Sequence, residues 1–462
     1  MNIPQRKLFG TDGVRGEAGR FPLDQKTLRT VGASLTVYLG ERLGRSPLIV
    51  LGRDTRESGV WLEQALIEGA VEAGAQCQSA GVITTPGVAF LTRSLPADAG
   101  VVISASHNPY QDNGFKIFAP SGRKLDDKTE RLIEADILAN DPLKARPPSV
   151  ARATGTHAST EKLAAALQSR YLNFLERDIA AGLSLAGRLI VIDAANGAAS
   201  ELAPGLFQRL GARLVLMNDK PDGRNINRDC GSLHIEALQQ KVLAAGAEMG
   251  VAFDGDADRA LFVDMHGRYV DGDATLWVLS NYMSTRGQLQ NNHVVATVMS
   301  NIGLEIALRS RGLRLLRTDV GDKYVLDELI RSGASLGGEQ SGHIIFPRLS
   351  LAGDGMITTL CLLRAMNDEE KPLHELTAGF ERYPQVLVNV EVFDKRPFIE
   401  FERIRQAMAE TECQLGDRGR LLLRYSGTEP LARIMIEGDN QSLIDELAGN
   451  LASVIHETLG KR

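Results

Sequence analysis

The chain has 462 residues and carries 52 Lys and Arg against 58 Asp and Glu, a formal net charge of −6 at neutral pH. At roughly 100–200 residues per domain this length implies three or four domains, and 43% apolar residues can supply a core to each. The acidic balance argues against dependence on nucleic acid or an anionic membrane surface, which select basic faces, and leaves room for a small anionic ligand held by a local cationic cluster.

The first twenty residues carry Arg6, Lys7, Asp12, Arg15, Glu17 and Arg20, with no apolar core of signal-peptide length. No apolar run approaches the ~18 residues of a membrane span. Cys77, Cys230, Cys361 and Cys413 are scattered without paired spacing, which predicts reduced thiols in a cytoplasmic protein and suggests neither a disulfide framework nor a zinc site.

Leu48 to Gly52 reads as a strand, followed by a helix to Ala73 and a second strand reaching Val82. The pattern returns at Leu189–Asp193, with a helix to Leu210 and a strand at Leu214–Met217, and again at Val294–Val298, Leu304–Ser310 and Leu313–Leu316. Apolar runs alternating with helical stretches are the mark of βαβ units and largely parallel sheets. Pro142 to Pro148 reads as a linker, and Asn367 to Pro372 as a further boundary. Beyond it Val386–Val392 alternates with period 2, as a half-buried antiparallel strand should. A helix (Phe401–Thr411), two strands (Arg420–Arg424 and Leu431–Glu437) and a helix from Ser442 follow. The expected fold is α/β: three tandem related α/β domains with mixed sheets (1–150, 151–256 and 257–370), and a smaller C-terminal α+β domain (371–462), around a central cleft.

Asp254, Asp256 and Asp258 follow a short apolar strand at spacing i, i+2, i+4. In an extended or looping backbone alternate side chains point the same way, so three carboxylates converge and repel unless a cation neutralises them. Hard carboxylate oxygens suit Mg²⁺. A calcium EF-hand would need Gly where Arg259 stands and Glu where Met265 stands, so that reading fails. An aspartyl-phosphate phosphatase is weakened, not eliminated, by Asp258 in the fifth place.

The strand from Gly100 delivers Ser104, Ser106, His107 and Asn108 to a Pro-containing loop, the usual place for reactive groups on an α/β sheet. Asn113-Gly114 is expected to make a tight turn that returns Lys116 beside it. Gly337 to His343 brackets Glu339, Ser341 and His343 with glycines. Arg424, Ser426, Gly427 and Thr428, followed by Arg433, form an anion cradle in which Arg offers bidentate geometry to phosphate.

Ser-Ala-Ser-His-Asn-Pro (104–109), Asp-Gly-Asp-Ala-Asp-Arg (254–259), Gly-Glu-Gln-Ser-Gly-His (338–343) and Arg-Tyr-Ser-Gly-Thr-Glu-Pro (424–430) occur in the order of the α-D-phosphohexomutase superfamily. The chain resembles that superfamily over essentially its whole length. With Phe-Gly-Thr-Asp-Gly-Val-Arg-Gly (9–16) at its start, the wording is similar to the bacterial branch acting on glucosamine phosphates. The resemblance implies an isomerase interconverting glucosamine 6-phosphate and glucosamine 1-phosphate, through a phosphoserine enzyme and a sugar 1,6-bisphosphate, feeding UDP-N-acetylglucosamine synthesis. A mutase for neutral hexose phosphates is the nearest alternative, and a Mg-dependent phosphatase the next.

Residue by residue, the resemblance makes Ser106 the phosphocarrier. One Mg²⁺ per subunit would be held by Asp254, Asp256, Asp258 and an oxygen on Ser106. Arg259 would contact the phosphoserine, and Glu339 and Ser341 would grip sugar hydroxyls, with Asp322 and Lys323 also facing substrate. Arg424, Ser426, Gly427, Thr428 and Arg433 would hold the phosphate not being transferred, while Lys116, Arg15 and His343 move protons or steady the phosphoryl group. Lys323 stands where Arg is more usual, and the two are not equivalent at a bidentate site. The implied partner is a small sugar phosphate, not nucleic acid or membrane; a homodimer is compatible with the resemblance.

Overall fold

Leu48-Ile-Val-Leu-Gly-Arg is apolar on both faces, as a strand covered by helices on both sides must be, and it lies inside the first of four sheets. The computed structural model describes residues 8–139, 156–158, 160–426 and 429–460; the expected linker Pro142–Pro148 and the cradle residues Gly427 and Thr428 lie outside them. The first sheet comprises β1 (Val14–Glu17), β2 (Leu48–Arg53), β3 (Gln76–Val82), β4 (Ala99–Ile103), β5 (Asp112–Phe118) and β6 (Thr156–Ala158), in the order β1-β5-β4-β2-β3-β6. Pairing is parallel through β4-β2-β3-β6 and antiparallel for β4-β5 and β5-β1. Alternate strand residues serve two cores. Ile49, Leu51, Val101, Ile103 and Phe115 pack against the helices Gln25–Leu43 and Glu57–Glu72, whereas Val50, Val102 and Phe118 enter a core shared with the next two units.

The second sheet holds β7 (Leu189–Asp193), β8 (Arg213–Met217), β9 (Met249–Phe253), β10 (Ala260–Asp264) and β11 (Tyr269–Val270), ordered β11-β10-β9-β7-β8. The third holds β12 (His293–Thr297), β13 (Arg314–Thr318), β14 (Gly337–Gly338) and β15 (Ile344–Ile345), ordered β13-β12-β14-β15. The fourth, β16 (Gln385–Glu391), β17 (Gly419–Tyr425) and β18 (Leu431–Gly438), is wholly antiparallel, ordered β16-β18-β17, and carries its own core against the helices Glu402–Leu415 and Gln441–Leu459. The expected three α/β units and smaller α+β unit are present.

Three expected boundaries are corrected. A division at 256/257 would cut the antiparallel pair β9-β10, because the fully buried run Ala260–Asp264 folds back on Met249–Phe253; the aspartate loop is therefore a hairpin connection inside the second sheet, not its end. The limit at 150 falls short of β6, which pairs with β3 of the first sheet. The limit at 370 is too early: Leu373 sits in the shared core with Trp277, whose Nε1 donates to the carbonyl of Ala378 at 3.2 Å.

Candidate active site

The loop after β4 is held by its carbonyls. Arg56 Nη2 donates to the carbonyls of Ser106 (3.1 Å) and Asn108 (2.6 Å), and Asn227 Nδ2 to the same two at 2.8 and 3.0 Å. Arg56 is itself buried in an ion pair with Asp54. This clamp supports Ser106 at φ 52°, a left-handed conformation that costs a non-glycine residue roughly 1–2 kcal/mol. The Ser106 amide donates to Ser104 Oγ at 2.9 Å, so Ser104 orients the loop. Ser106 Oγ donates to Asp254 Oδ2 at 2.6 Å and lies 3.2 Å from His107 Nδ1. Burial, with the charges of Arg259 and Arg15, pushes the His107 imidazole down to about 4.

Asn113-Gly114 does not make the expected turn: both lie in β5, and the chain reverses earlier, between Ser104 and Gln111. Gly114 is required by close packing instead, since a Cβ there would meet the carbonyls of Val14 at 2.5 Å and Ser104 at 2.7 Å. Lys116 reaches the site all the same, because β5 returns beside β4 with Lys116 opposite Val102.

The three aspartates converge, and of the two expected backbones, extended or looping, it is the looping one that brings them together. Ala257 adopts φ 54° and donates its amide to the carbonyl of Asp254 at 3.0 Å, so a tight turn gathers the carboxylates. One oxygen from each lies within 4.8 Å of the others, and all three residues are buried. Gly255 lets this turn lie against the Ser106 loop: a Cβ there would fall 2.5 Å from the Ser106 carbonyl. Thr85 Oγ1 donates to Asp256 Oδ2 at 2.6 Å, and Lys116 Nζ reaches Asp256 at 3.0 Å and Asp258 at 3.1 Å. Oδ1 of Asp256 and Oδ1 of Asp258 are buried with no hydrogen-bond partner. Such atoms are costly to leave unpaired, and hard oxygens in this number fit a divalent cation such as Mg²⁺.

The charges of the site sustain one another. Burial, then the charges of Asp258 and Asp256, drives the Asp254 carboxyl well above the usual carboxylate range. Burial also opposes ionisation of Asp258, but Lys116, His343 and Arg259 overcome it and hold that carboxyl well below. Against the same burial penalty, Asp12, Asp256 and Asp258 keep the Lys116 ammonium well above its normal value. His343 is raised to about 9 despite burial, chiefly by Asp258, 3.6 Å from Nδ1. Arg259 lies 3.8 Å from Asp258, and Arg15 is paired with Asp12, which also accepts Lys116 at 3.1 Å.

Glu339 accepts from the Gly321 amide and from Ser341 Oγ, both at 3.2 Å. Asp322 lies 3.8 Å from His343 Nε2. Lys323 pairs with Asp127 on the wall of a cavity of about 580 Å³ between the first and third units, which Asp322 also lines. In the fourth unit Arg424 and Arg433 are cross-strand partners on β17 and β18, Arg433 is tied to Glu429 at 2.9 Å, and Lys395 Nζ donates to the Ser426 carbonyl at 2.8 Å. Sequence reasoning missed Arg56, Thr85, Asn227 and Lys395 as parts of the site. Each lies outside the recognisable loops, and no local pattern marks any of them.

Four family profiles described as phosphoglucomutase/phosphomannomutase match the chain in order: alpha/beta/alpha domain I over 6–144, domain II over 169–267, domain III over 271–383 and the C-terminal domain over 387–454. A phosphoglucosamine mutase of Solibacter usitatus is 47% identical over 458 residues, covering 99% of this chain and 100% of that protein. One from Syntrophotalea carbinolica is 45% identical over 458 residues, covering 99% of each. A crystal structure of a phosphoglucomutase/phosphomannomutase family protein from Burkholderia thailandensis superposes with a TM-score of 0.79 at 24% identity, over 98% of this chain and 97% of that one.

Proposed function

The chain belongs to the phosphoglucomutase/phosphomannomutase family, and on that premise we propose how its residues divide the work of a phosphoglucosamine mutase. The activity is an isomerisation, glucosamine 6-phosphate to glucosamine 1-phosphate and back. Ser106 carries the phosphoryl group. In the forward direction a sugar hydroxyl oxygen attacks phosphorus on phospho-Ser106, the P–Oγ bond breaks, the hydroxyl proton is passed on to the freed Ser106 Oγ, and a sugar 1,6-bisphosphate forms. The bisphosphate then turns end for end, Ser106 Oγ attacks the other phosphorus, the bond from that phosphorus to the sugar oxygen breaks, the serine proton passes to the freed sugar oxygen, and the second sugar monophosphate departs from the rephosphorylated enzyme. One carrier acting on two positions requires a remote site able to accept either phosphate end, and the Arg424–Arg433 loop, which includes Gly427 and Thr428, has the composition for it.

The observation that carries this reading is Ser106 Oγ at 2.6 Å from Asp254, inside a buried cluster in which two carboxylate oxygens accept no hydrogen bond. A Mg²⁺ held by Asp254, Asp256, Asp258 and Ser106, one per subunit, would supply neutralisation of the charge that gathers on the transferring group. Lys116, 3.0 Å from Asp256 and 3.1 Å from Asp258, and His343, 3.6 Å from Asp258, would steady that group or move its proton. Arg259 and Arg15 add fixed positive charge, and Glu339 and Ser341 face sugar hydroxyls. We place the protein in the cytoplasm: its cysteines are free, and no helix among the described residues is long and apolar enough to cross a membrane.

Ser106→Ala tests the reading. The variant should fold as the parent does, lose mutase turnover, and lack the phosphate that intact-mass and peptide mapping should find between Ser104 and Lys116. Near-normal turnover would remove Ser106 as the carrier.

A further inference from the structure

Six charged side chains from three units close into a ring of alternating sign. Asp12 meets Lys124 at 2.5 Å, Lys124 meets Asp322 at 2.6 Å, and Asp322 lies 3.8 Å from His343 Nε2. His343 Nδ1 lies 3.6 Å from Asp258, Asp258 lies 3.1 Å from Lys116, and Lys116 returns to Asp12 at 3.1 Å. In this ring the Lys124–Asp322 pair is the direct link between the first and third units. Lys124 touches neither Ser106 nor the aspartate cluster, and the division of labour above leaves it without a role.

We propose that Lys124 is a positioning residue, which locks the Asp322–His343 edge of the third unit onto the Asp12–Arg15 edge of the first. The backbone suits this use. Lys124 is bridged to Phe118 at the end of β5, Asp322 opens the helix Asp322–Ser332, and Asp12 lies two residues before β1, so each partner stands on or beside a fixed element. All three side chains are largely shielded, at 16–24% exposure, so their attraction is screened less than that of a surface pair. Without the ammonium, Asp12 and Asp322 would face each other as like charges across the interface, a juxtaposition that pushes units apart. His343 would then drift from Asp258, and Arg15 would lose the fixed position of its partner. Phosphoryl transfer is mainly positioning and charge neutralisation, and a misplacement of about 1 Å can cost about 10²-fold in rate.

This rests on the assignment of Ser106 and the aspartate cluster as the reacting centre. The test uses the full chain with Mg²⁺ and glucosamine phosphates, comparing Lys124→Met, Lys124→Gln, Lys124→Arg, Asp322→Asn and the double variant Lys124→Met/Asp322→Asn. The uncharged variants should lower kcat by about 10- to 10²-fold with KM nearly unchanged, at a melting temperature close to the parent's. Lys124→Arg should recover most of the loss. Asp322→Asn should cost less in the Lys124→Met background than alone, because neighbours in one network are not additive. A raised KM at unchanged kcat would make Lys124 a direct substrate ligand and overturn the proposal, as would equal behaviour of the Arg and Met variants or strictly additive losses. If Ser106→Ala is inactive while Lys124→Met keeps full turnover, only Lys124 is reassigned; if Ser106→Ala is active, the reacting centre itself is wrong.

Discussion

Asp256 spends one carboxylate oxygen on Thr85 and Lys116 and leaves the other buried and unpartnered. An amide in its place can still accept from Thr85 but brings one charge fewer to the cluster. Asp256→Asn should therefore fold, need more Mg²⁺ for half-maximal activity, and lose at least about 10²-fold in kcat, as removal of a preorganised electrostatic group commonly does; a titration of rate against Mg²⁺ at saturating sugar phosphate reads both effects. Unaltered Mg²⁺ dependence would exclude Asp256 as a ligand. Asp254, Asp256 and Asp258 could be found in the sequence because they alternate within five residues and their mutual repulsion asks for a cation. Thr85 could not: it approaches Asp256 from 171 residues away, and nothing beside it sets it apart from any helix-opening threonine. Arg56 and Asn227 escaped for the same reason, since each acts on a backbone carbonyl that no sequence pattern records.

Elements, not isolated side chains, decide whether the two central loops meet. The turn after β9 touches the loop after β4 only because residue 255 lacks a side chain: a Cβ would lie 2.5 Å from the Ser106 carbonyl and 2.9 Å from Asn227 Nδ2. Gly255→Ala should separate the loops, with an overpacking cost of about 1–3 kcal/mol, seen as a lower urea midpoint together with a fall in kcat; a parental midpoint would mean that the loops yield freely. A second element-level prediction concerns the helix Gly272–Thr285, which opens with Asp271 as its cap and the fully buried Asp273 one turn-step later. Burial and the charge of Asp271 raise Asp273 to about 7. The folded chain thus holds a proton there that the unfolded chain, with an ordinary carboxyl, releases near pH 4. Stability is fully present below that pH and falls as pH rises toward 7, by up to about 1.4 kcal/mol per pH unit. Melting temperatures between pH 5 and 7.5 should show a downward slope that Asp273→Asn, which keeps an acceptor for the Asn301 amide, flattens. Strands such as Leu48–Arg53 and Leu431–Gly438 were legible from their apolar patterns, but β5 was not, because its Asn113-Gly114 reads as a turn. The boundaries were not, because the core containing Val50, Phe253 and Trp277 runs through three units, and a shared core leaves no polar seam in the sequence for a reader to find.

At the scale of the whole molecule, the fourth unit is the part whose attachment can be changed without touching the rest. Its sheet has a core of its own, and it is fastened to the third unit by a buried polar knot. Glu437, fully buried on β18, accepts from Arg420 at 2.8 Å, from the Ile302 amide at 3.1 Å and from Asn301 Nδ2 at 3.2 Å, while Asn301 also donates to the Tyr383 carbonyl at 3.0 Å. A buried charge with this many partners is poor proof of net stability, yet its removal takes the partner from the Ile302 amide and leaves Arg420 with the Ser300 carbonyl, at a cost of about 3–5 kcal/mol. Part of that cost falls on the fourth sheet, where Arg420 and Glu437 are cross-strand neighbours, and part on docking through Asn301 and the Ile302 amide, while the apolar contacts of Ile434, Ile436, Leu447 and Leu451 are untouched. Glu437→Ala should therefore keep its secondary structure, show faster amide exchange along β18 and around Asn301, and raise KM more than it lowers kcat, since Arg424 and Arg433 would meet the substrate from a loosely held platform. Arg424→Ala should raise KM with no change in exchange at the knot. If Glu437→Ala left both exchange and KM at parental values, the knot would not be what aims the cradle, and the covalent connection near Pro384 would have to set the placement of the fourth unit alone.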